Sequence, residues 1–168
     1  EQELLSMMNT FLKKMYDEEN VQVTNSYILA KGKIPVLLVA HMDTVFSSPP
    51  KEIYHDSHKD VLWSPQGLGA DDRAGIFIII KMIQEGLRPH VILTTGEESG
   101  GIGASMLVTV HPSVPFDIKY AIQLDRQGIC DSVYYDCENN KFEKYINSFG
   151  YVTAFGSFSD ISIICPAW

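Results

Sequence analysis

Three apolar runs, each ending on an acid, a histidine or a polar turn, restrict this chain more than any other feature. Ile34 to Ala40 runs into His41, Val91 to Thr95 into Gly96-Glu97-Glu98, and Tyr120 to Leu124 into Asp125. Runs this short and this continuous suit strands buried on both faces, as in a parallel sheet covered by helices. The segments between them carry helical periodicity. Asp72 to Glu85 reads as a helix entered through Asp71 and Asp72 and closed by Gly86, with Pro89 beyond. Ala104 to Val110 reads as another, after the flexible turn of Gly100, Gly101 and Gly103. Leu4, Leu5, Met8, Phe11, Leu12 and Met15 place an amphipathic helix over residues 2–16. Val21 to Thr24 and Ser26 to Ala30 read as short strands, and Ile53 to Asp56 with Val61 to Trp63 as a hairpin. Ser132 to Tyr135 reads as a fourth strand of the apolar series, Asn139 to Ser148 as a helix, Tyr151 to Phe155 as a strand, and Ile161 to Ile164 as a strand-like run. Strands alternating with helices define an α/β class: one three-layer domain with a mostly parallel mixed sheet flanked by helices.

Composition removes several functions. A length of 168 residues with 45% apolar content supports one domain with a substantial core. The net charge of −8 argues against a nucleic-acid surface, and no Lys/Arg block offers itself to an anionic membrane. No run is long enough to span a bilayer. Cys130, Cys137 and Cys165 form no Cys-x-x-Cys pair, and their odd number fits reduced, buried thiols in a cytoplasmic protein. The start is not a secretory signal, and the absence of an initiator Met suggests trimming.

Four segments carry candidate chemistry. His41 and Asp43 are two apart at a strand end, so in extended backbone they share a face. That suits a metal-binding imidazole held by a carboxylate at its other ring nitrogen, although His-x-Asp alone reads sooner as a satisfied polar strand end. In Gly67-Leu68-Gly69-Ala70-Asp71-Asp72-Arg73-Ala74-Gly75, one aspartate can cap the helix while its neighbour faces a cation; an ordinary acidic cap is the other reading. In Thr95-Gly96-Glu97-Glu98-Ser99-Gly100-Gly101, two adjacent carboxylates follow a buried strand. Close carboxylates repel unless a cation or shared proton intervenes. One glutamate binding metal and the other moving a proton is the functional reading, and a solvated turn the structural one. Asp125-Arg126, taken alone, reads as an ion pair. Together, His41, Glu97/Glu98 and Asp125 all fall at carboxyl ends of strands, where open α/β sheets bind ligands, with Asp71 at a helix start on the same edge. One histidine among several carboxylates suits zinc.

In this order, Ala40-His41-Met42-Asp43-Thr44-Val45, Gly69-Ala70-Asp71-Asp72-Arg73-Ala74-Gly75 and Thr95-Gly96-Glu97-Glu98-Ser99-Gly100-Gly101 resemble the co-catalytic zinc peptidase superfamily that includes peptidase T, carboxypeptidase G and the bacterial leucyl aminopeptidases. The match spans roughly residues 36–126. The resemblance implies two Zn2+ ions, with Co2+ or Mn2+ as substitutes. It implies that His41 and Asp125 bind the first ion, that Asp71 bridges both, and that Glu98 binds the second. Asp43 would orient His41, the Asp71–Asp72 peptide would be cis, and Glu97 would be general base and then general acid. The implied substrate is a peptide or N-acyl amino acid, and the implied reaction exopeptidase cleavage of an amide.

Two departures matter. About 34 residues separate Asp125 from Ser159-Asp160, which resembles the family's later Ser/Thr-Asp segment, so no inserted lid or dimerisation domain fits between them. The family's last metal-binding histidine, beyond that segment, has no counterpart before Trp168, which suggests a chain truncated at its C-terminus. His55 and His58 read as surface residues, His90 and His111, beside prolines, as structural ones. Trp63, Tyr134 and Tyr135 read as core or hairpin residues rather than a substrate platform, and Arg73 and Arg126 as partners for nearby carboxylates. The alternatives are an N-acyl amino acid deacylase or amidohydrolase on the same site, and a catalytically impaired metal-binding protein.

Overall fold

The computed structural model describes residues 1–135 and 139–168; Cys137 lies outside them. The chain opens with helix α1 (Gln2–Tyr16), a 3-10 turn (Glu18–Asn20), and strands β1 (Val21–Val23), β2 (Tyr27–Ala30) and β3 (Ile34–His41). The hairpin β4 (Tyr54–Asp56) and β5 (Val61–Trp63) follows, then α2 (Ala70–Gln84), β6 (Pro89–Thr94), α3 (Ile102–Val110) and β7 (Tyr120–Gln123). The last part holds β8 (Asp131–Ser132), α4 (Asn140–Asn147), β9 (Val152–Thr153) and α5 (Ile161–Ala167).

The main sheet runs β1-β2-β6-β3-β7. β3 is parallel to both β6 and β7, while β2 is antiparallel to β6 and to β1. The sheet is thus mixed, and its parallel half is the half that carries the candidate site. Side-chain alternation sorts each strand between two cores. Ile28, Ala30, Leu38, Ala40, Val91 and Leu93 point to one face, where Leu5, Met8 and Leu12 of α1 and Ile76, Ile79 and Ile83 of α2 cover them. Tyr27, Leu29, Leu37, Val39 and Ile92 point to the other, under Ala104 and Leu107 of α3, Phe116, and Ile164 of α5. The result is a helix–sheet–helix sandwich of the kind the alternating pattern implies.

Three local expectations need correction. Ile161 to Ile164 is the start of helix α5, not a strand. Short apolar runs carry no period that separates a strand from a buried helix; here Asp160 accepts the backbone N–H of Ile163 and of Ile164, both at 3.0 Å, and starts a helical turn. The fourth strand shrinks to Asp131–Ser132 and pairs with Val152–Thr153 in a separate two-stranded ribbon, outside the main sheet. Tyr134 leaves the ladder, accepting the Ser132 hydroxyl at 3.0 Å and meeting Phe142 of α4 edge-on. Cys130 is exposed rather than buried, and Cys165 is half-buried. No helix among the described residues is long and apolar enough to cross a membrane.

Candidate metal centre

Register places the site. His41 lies opposite Thr94 across the β3–β6 pairing, and Val39 opposite Gln123 across β3–β7. Because these strands are parallel, their carboxyl ends coincide, and the residues just beyond them emerge at one sheet edge. His41 ends β3, Glu97 and Glu98 follow β6, and Asp125 follows β7.

Each acid is held by its own local device. At Gly96 the backbone adopts φ 68°, a left-handed conformation that glycine takes without steric cost. The turn closes as Gly100 and Gly101 donate backbone N–H groups to the Glu97 carbonyl at 2.9 and 3.0 Å. The two aspartates before α2 divide their work. Asp72 accepts the Gly75 N–H at 3.0 Å as a helix-start cap, while Asp71 turns to His41. The Asp71–Asp72 peptide is cis, and neither residue has helical φ/ψ, so the regular helix begins after them.

At the centre stands His41, 1% exposed. Its Nδ1 faces Asp43, 3.2 Å from the carbonyl and 3.4 Å from Oδ1. Its Nε2 lies 3.1 Å from Asp71 Oδ1, 3.8 Å from Asp125 Oδ1 and 3.9 Å from Glu97 Oε2. A proton on Nδ1, donated to Asp43, leaves Nε2 among the carboxylates, where it holds a proton in the metal-free chain and would present its lone pair to a bound cation. The Asp43 carboxylate also accepts the backbone N–H groups of Glu97 and Glu98, each at 3.1 Å. One side chain thereby ties the imidazole to the glutamate turn.

Asp125 is positioned by residues that the sequence reading gave no role. Ser159 donates its hydroxyl to Asp125 Oδ2 at 2.7 Å, and the Gln123 amide reaches the same oxygen at 3.2 Å. Gln123 Oε1 accepts the Ile161 N–H at 2.7 Å, joining β7 to the first turn of α5. The available signal was a lone glutamine inside the apolar run of β7 and the Ser159-Asp160 dipeptide. Asp160 is fully buried and accepts a hydrogen bond from the Thr94 hydroxyl.

Charge crowding is the dominant electrostatic fact. Burial works against a charged imidazole, but hydrogen bonds to Asp125 and Asp43 and the negative charge of Asp125 and Glu97 overcome it, raising His41 to about 11. Burial, then the charges of Asp125, Asp160 and Glu98, push Glu97 up to about 7 against the pull of His41. Burial and the neighbouring Asp71 raise Glu98. Asp71 is raised by burial and by Asp125, while Asp125 is lowered because hydrogen bonds from His41 and Ser159 outweigh its burial. Among the described residues no Lys or Arg forms an ion pair with these carboxylates. Arg126 pairs instead with Asp131, and Arg73 lies beside a groove between α1 and α2.

Such a donor set fits a divalent cation. His41, Asp71 and Asp125 form one group of ligand atoms within 4.8 Å of one another, and His41, Glu97 and Glu98 form a second. Imidazole with carboxylates suits zinc and its first-row neighbours. The remaining histidines stand elsewhere. His55 is exposed and pairs with Asp60 at 3.0 Å, and His58 is exposed in the same hairpin. His90 accepts the Gly32 N–H at 3.1 Å and stacks on Phe116, and His111 contacts Gln22 at 3.1 Å. A second ion would therefore draw on Asp71 and Glu98 without a further histidine from the described residues. Trp63 does sit in the hairpin, stacked on Tyr54, but it is exposed and lines a pocket that also reaches Asp71 and Glu98.

No protein-family model matches the chain, and no curated protein matches it. Among solved structures, LapB from Legionella pneumophila is similar, with a TM-score of 0.58 and 16% sequence identity. The similarity covers 96% of this chain and 50% of LapB, so the chain spans about half the length of that protein. At this identity the likeness concerns the fold alone.

Proposed function

We propose that this chain carries the reaction centre of a two-metal amide hydrolase, a zinc exopeptidase of aminopeptidase type within the co-catalytic zinc peptidase superfamily. One observation carries the reading: His41, Asp71, Glu97, Glu98 and Asp125 converge at the carboxyl edge of the parallel strands, and among the described residues no Lys or Arg pairs with them. His41 and Asp125 would hold one ion, Asp71 would be shared, and Glu98 would serve the second. Bound there, the ions supply acidification of water and polarisation of the scissile carbonyl.

The chain's own residues do the rest. Asp43 fixes the imidazole so that Nε2 faces the reaction centre, and Ser159 and Gln123 fix Asp125. Glu97 is the proton carrier: it is buried, it touches the cluster through Oε2, and in the metal-free chain burial and the neighbouring carboxylates raise it to about 7. It takes the proton of the attacking water and returns it to the departing amine nitrogen.

Hydrolysis of aminoacyl p-nitroanilides and of N-acyl amino acids by zinc-loaded protein tests the reading. Wild type is expected to cleave the aminoacyl series, and Glu97→Gln to lose about 10²–10⁴-fold in kcat while retaining its metal. Equal turnover by Glu97→Gln at unchanged metal content overturns the assignment of the base. Cleavage confined to N-acyl substrates replaces the exopeptidase by a deacylase.

A further inference from the structure

We propose that the pocket beside the carboxylate cluster receives a large apolar side chain of the substrate and sets the specificity of the site. The inference rests on the amide-hydrolase reading and names its substrate class. The pocket has a volume of about 530 Å3 and opens between the segment after β3, the β4–β5 hairpin and the loop before α2. Its inner rim is Asp71 and Glu98, so a molecule filling it reaches the reaction centre.

The walls are Val45, Phe46, Leu62, Trp63 and Leu68. Val45, Phe46, Leu62 and Trp63 are 69%, 44%, 59% and 49% exposed, a concentration of large apolar groups at one mouth of the molecule. Apolar surface gathered around a few polar groups is the usual character of a ligand site. The walls are also held in place. Thr44 Oγ1 accepts the Phe46 N–H at 3.1 Å, and the Phe46 ring lies on Gly67, where a side chain would overlap it. Gly67 has φ 81°, so the loop passes under the ring in a conformation that favours glycine. On the opposite wall Trp63 stacks on Tyr54 with ring centroids 5.0 Å apart.

Charge narrows the occupant further. The ionisable groups on the lining are Asp71 and Glu98, both committed to the ions in the hydrolase reading, so a charged side chain would lose its hydration there without gaining a partner. A leucyl or phenylalanyl side chain buries against the walls without that cost. The volume suits an aromatic ring better than a methyl group.

Trp63 and Trp168 are the tryptophans of the chain. In Trp168→Phe, Trp63 reports the pocket by its fluorescence. Phenylalaninol, leucinol and ethanolamine, amino alcohols with no bond to cleave, are titrated into zinc-loaded protein. Phenylalaninol is expected to change Trp63 emission saturably and to bind at least about tenfold tighter than ethanolamine. The gap should fall to within about threefold in Phe46→Ala and in Leu62→Ser, two exposed positions whose loss leaves the core untouched. In parallel, kcat/KM for phenylalanyl over glycyl p-nitroanilide should favour the former by a similar factor and lose that preference in the same variants. Hydrolysis with no such preference and no saturable emission change overturns the pocket and leaves the hydrolase reading standing. A retained binding gap with no hydrolysis of any amide overturns the hydrolase reading and leaves the pocket.

Discussion

The two ring nitrogens of His41 face different partners. Asp43 takes the Nδ1 side and simultaneously anchors the amides of Glu97 and Glu98. Removing it in Asp43→Ala should therefore weaken zinc binding about 10–100-fold, measured by competition with a chromophoric chelator. Ser159→Ala should act in the same direction through Asp125, with Ser159→Thr restoring affinity because the hydroxyl returns. The pairing of His41 with Asp43 could be read from their spacing; the reach of Asp43 to the glutamate turn could not, since it crosses from β3 to β6. Asp160 yields a pH signature. Burial pushes its carboxyl up to about 6 from an ordinary 3.8. Between those values the native chain holds more proton than the unfolded chain, so stability contributed by the neutral acid is present below pH 4 and drains as pH rises to 6. The loss from this group is at most about 3 kcal/mol. Urea unfolding of metal-free protein should show a smaller decline from pH 4.5 to 7 in Asp160→Asn than in wild type, and an unchanged decline would contradict the assignment.

Among the elements, α2 is the most constrained by the site. Gly75 is buried against the Asp72 carboxylate and the Leu124 carbonyl, and a Cβ there would overlap both. Alanine ordinarily stabilises a helix interior by about 1 kcal/mol over glycine. Here Gly75→Ala is expected to destabilise by about 1–3 kcal/mol, because helix and β7 must separate to admit the methyl group. The shift should also move Asp71 away from Asp125 and weaken metal binding, which chemical denaturation and zinc titration read independently. Burial decides which elements are legible in the sequence. α1, β3, β6 and α2 announce themselves because burial on a face or on both sides forces a visible period. α5 does not, as only Ile164 of its apolar run is fully buried and the turn at Asp160 is set by long-range contacts. β8 and β9 are short and, among the described residues, pair only with each other. Trp63 looked like an ordinary hairpin residue, and its place in the pocket wall depends on where β5 lies against Phe46 and Leu68, which no local pattern encodes.

For the molecule as a whole, the fold gathers negative charge at one edge of its parallel strands, and among the described residues His41 is the basic group that pairs with it. Cations that bind the folded chain should stabilise it by mass action, about 2.7 kcal/mol per site at a hundredfold excess over Kd. Zinc should therefore raise Tm in calorimetry, a chelator should reverse the gain, and Asp71→Asn should lose most of it. The most direct measurement is anomalous scattering at the zinc edge from crystals grown with excess zinc. Two peaks about 3.5–4 Å apart are expected, one against His41 and Asp125, one against Glu98, with Asp71 between them. An absence of peaks at that edge of the sheet, or zinc bound only at surface histidines such as His55, would contradict it.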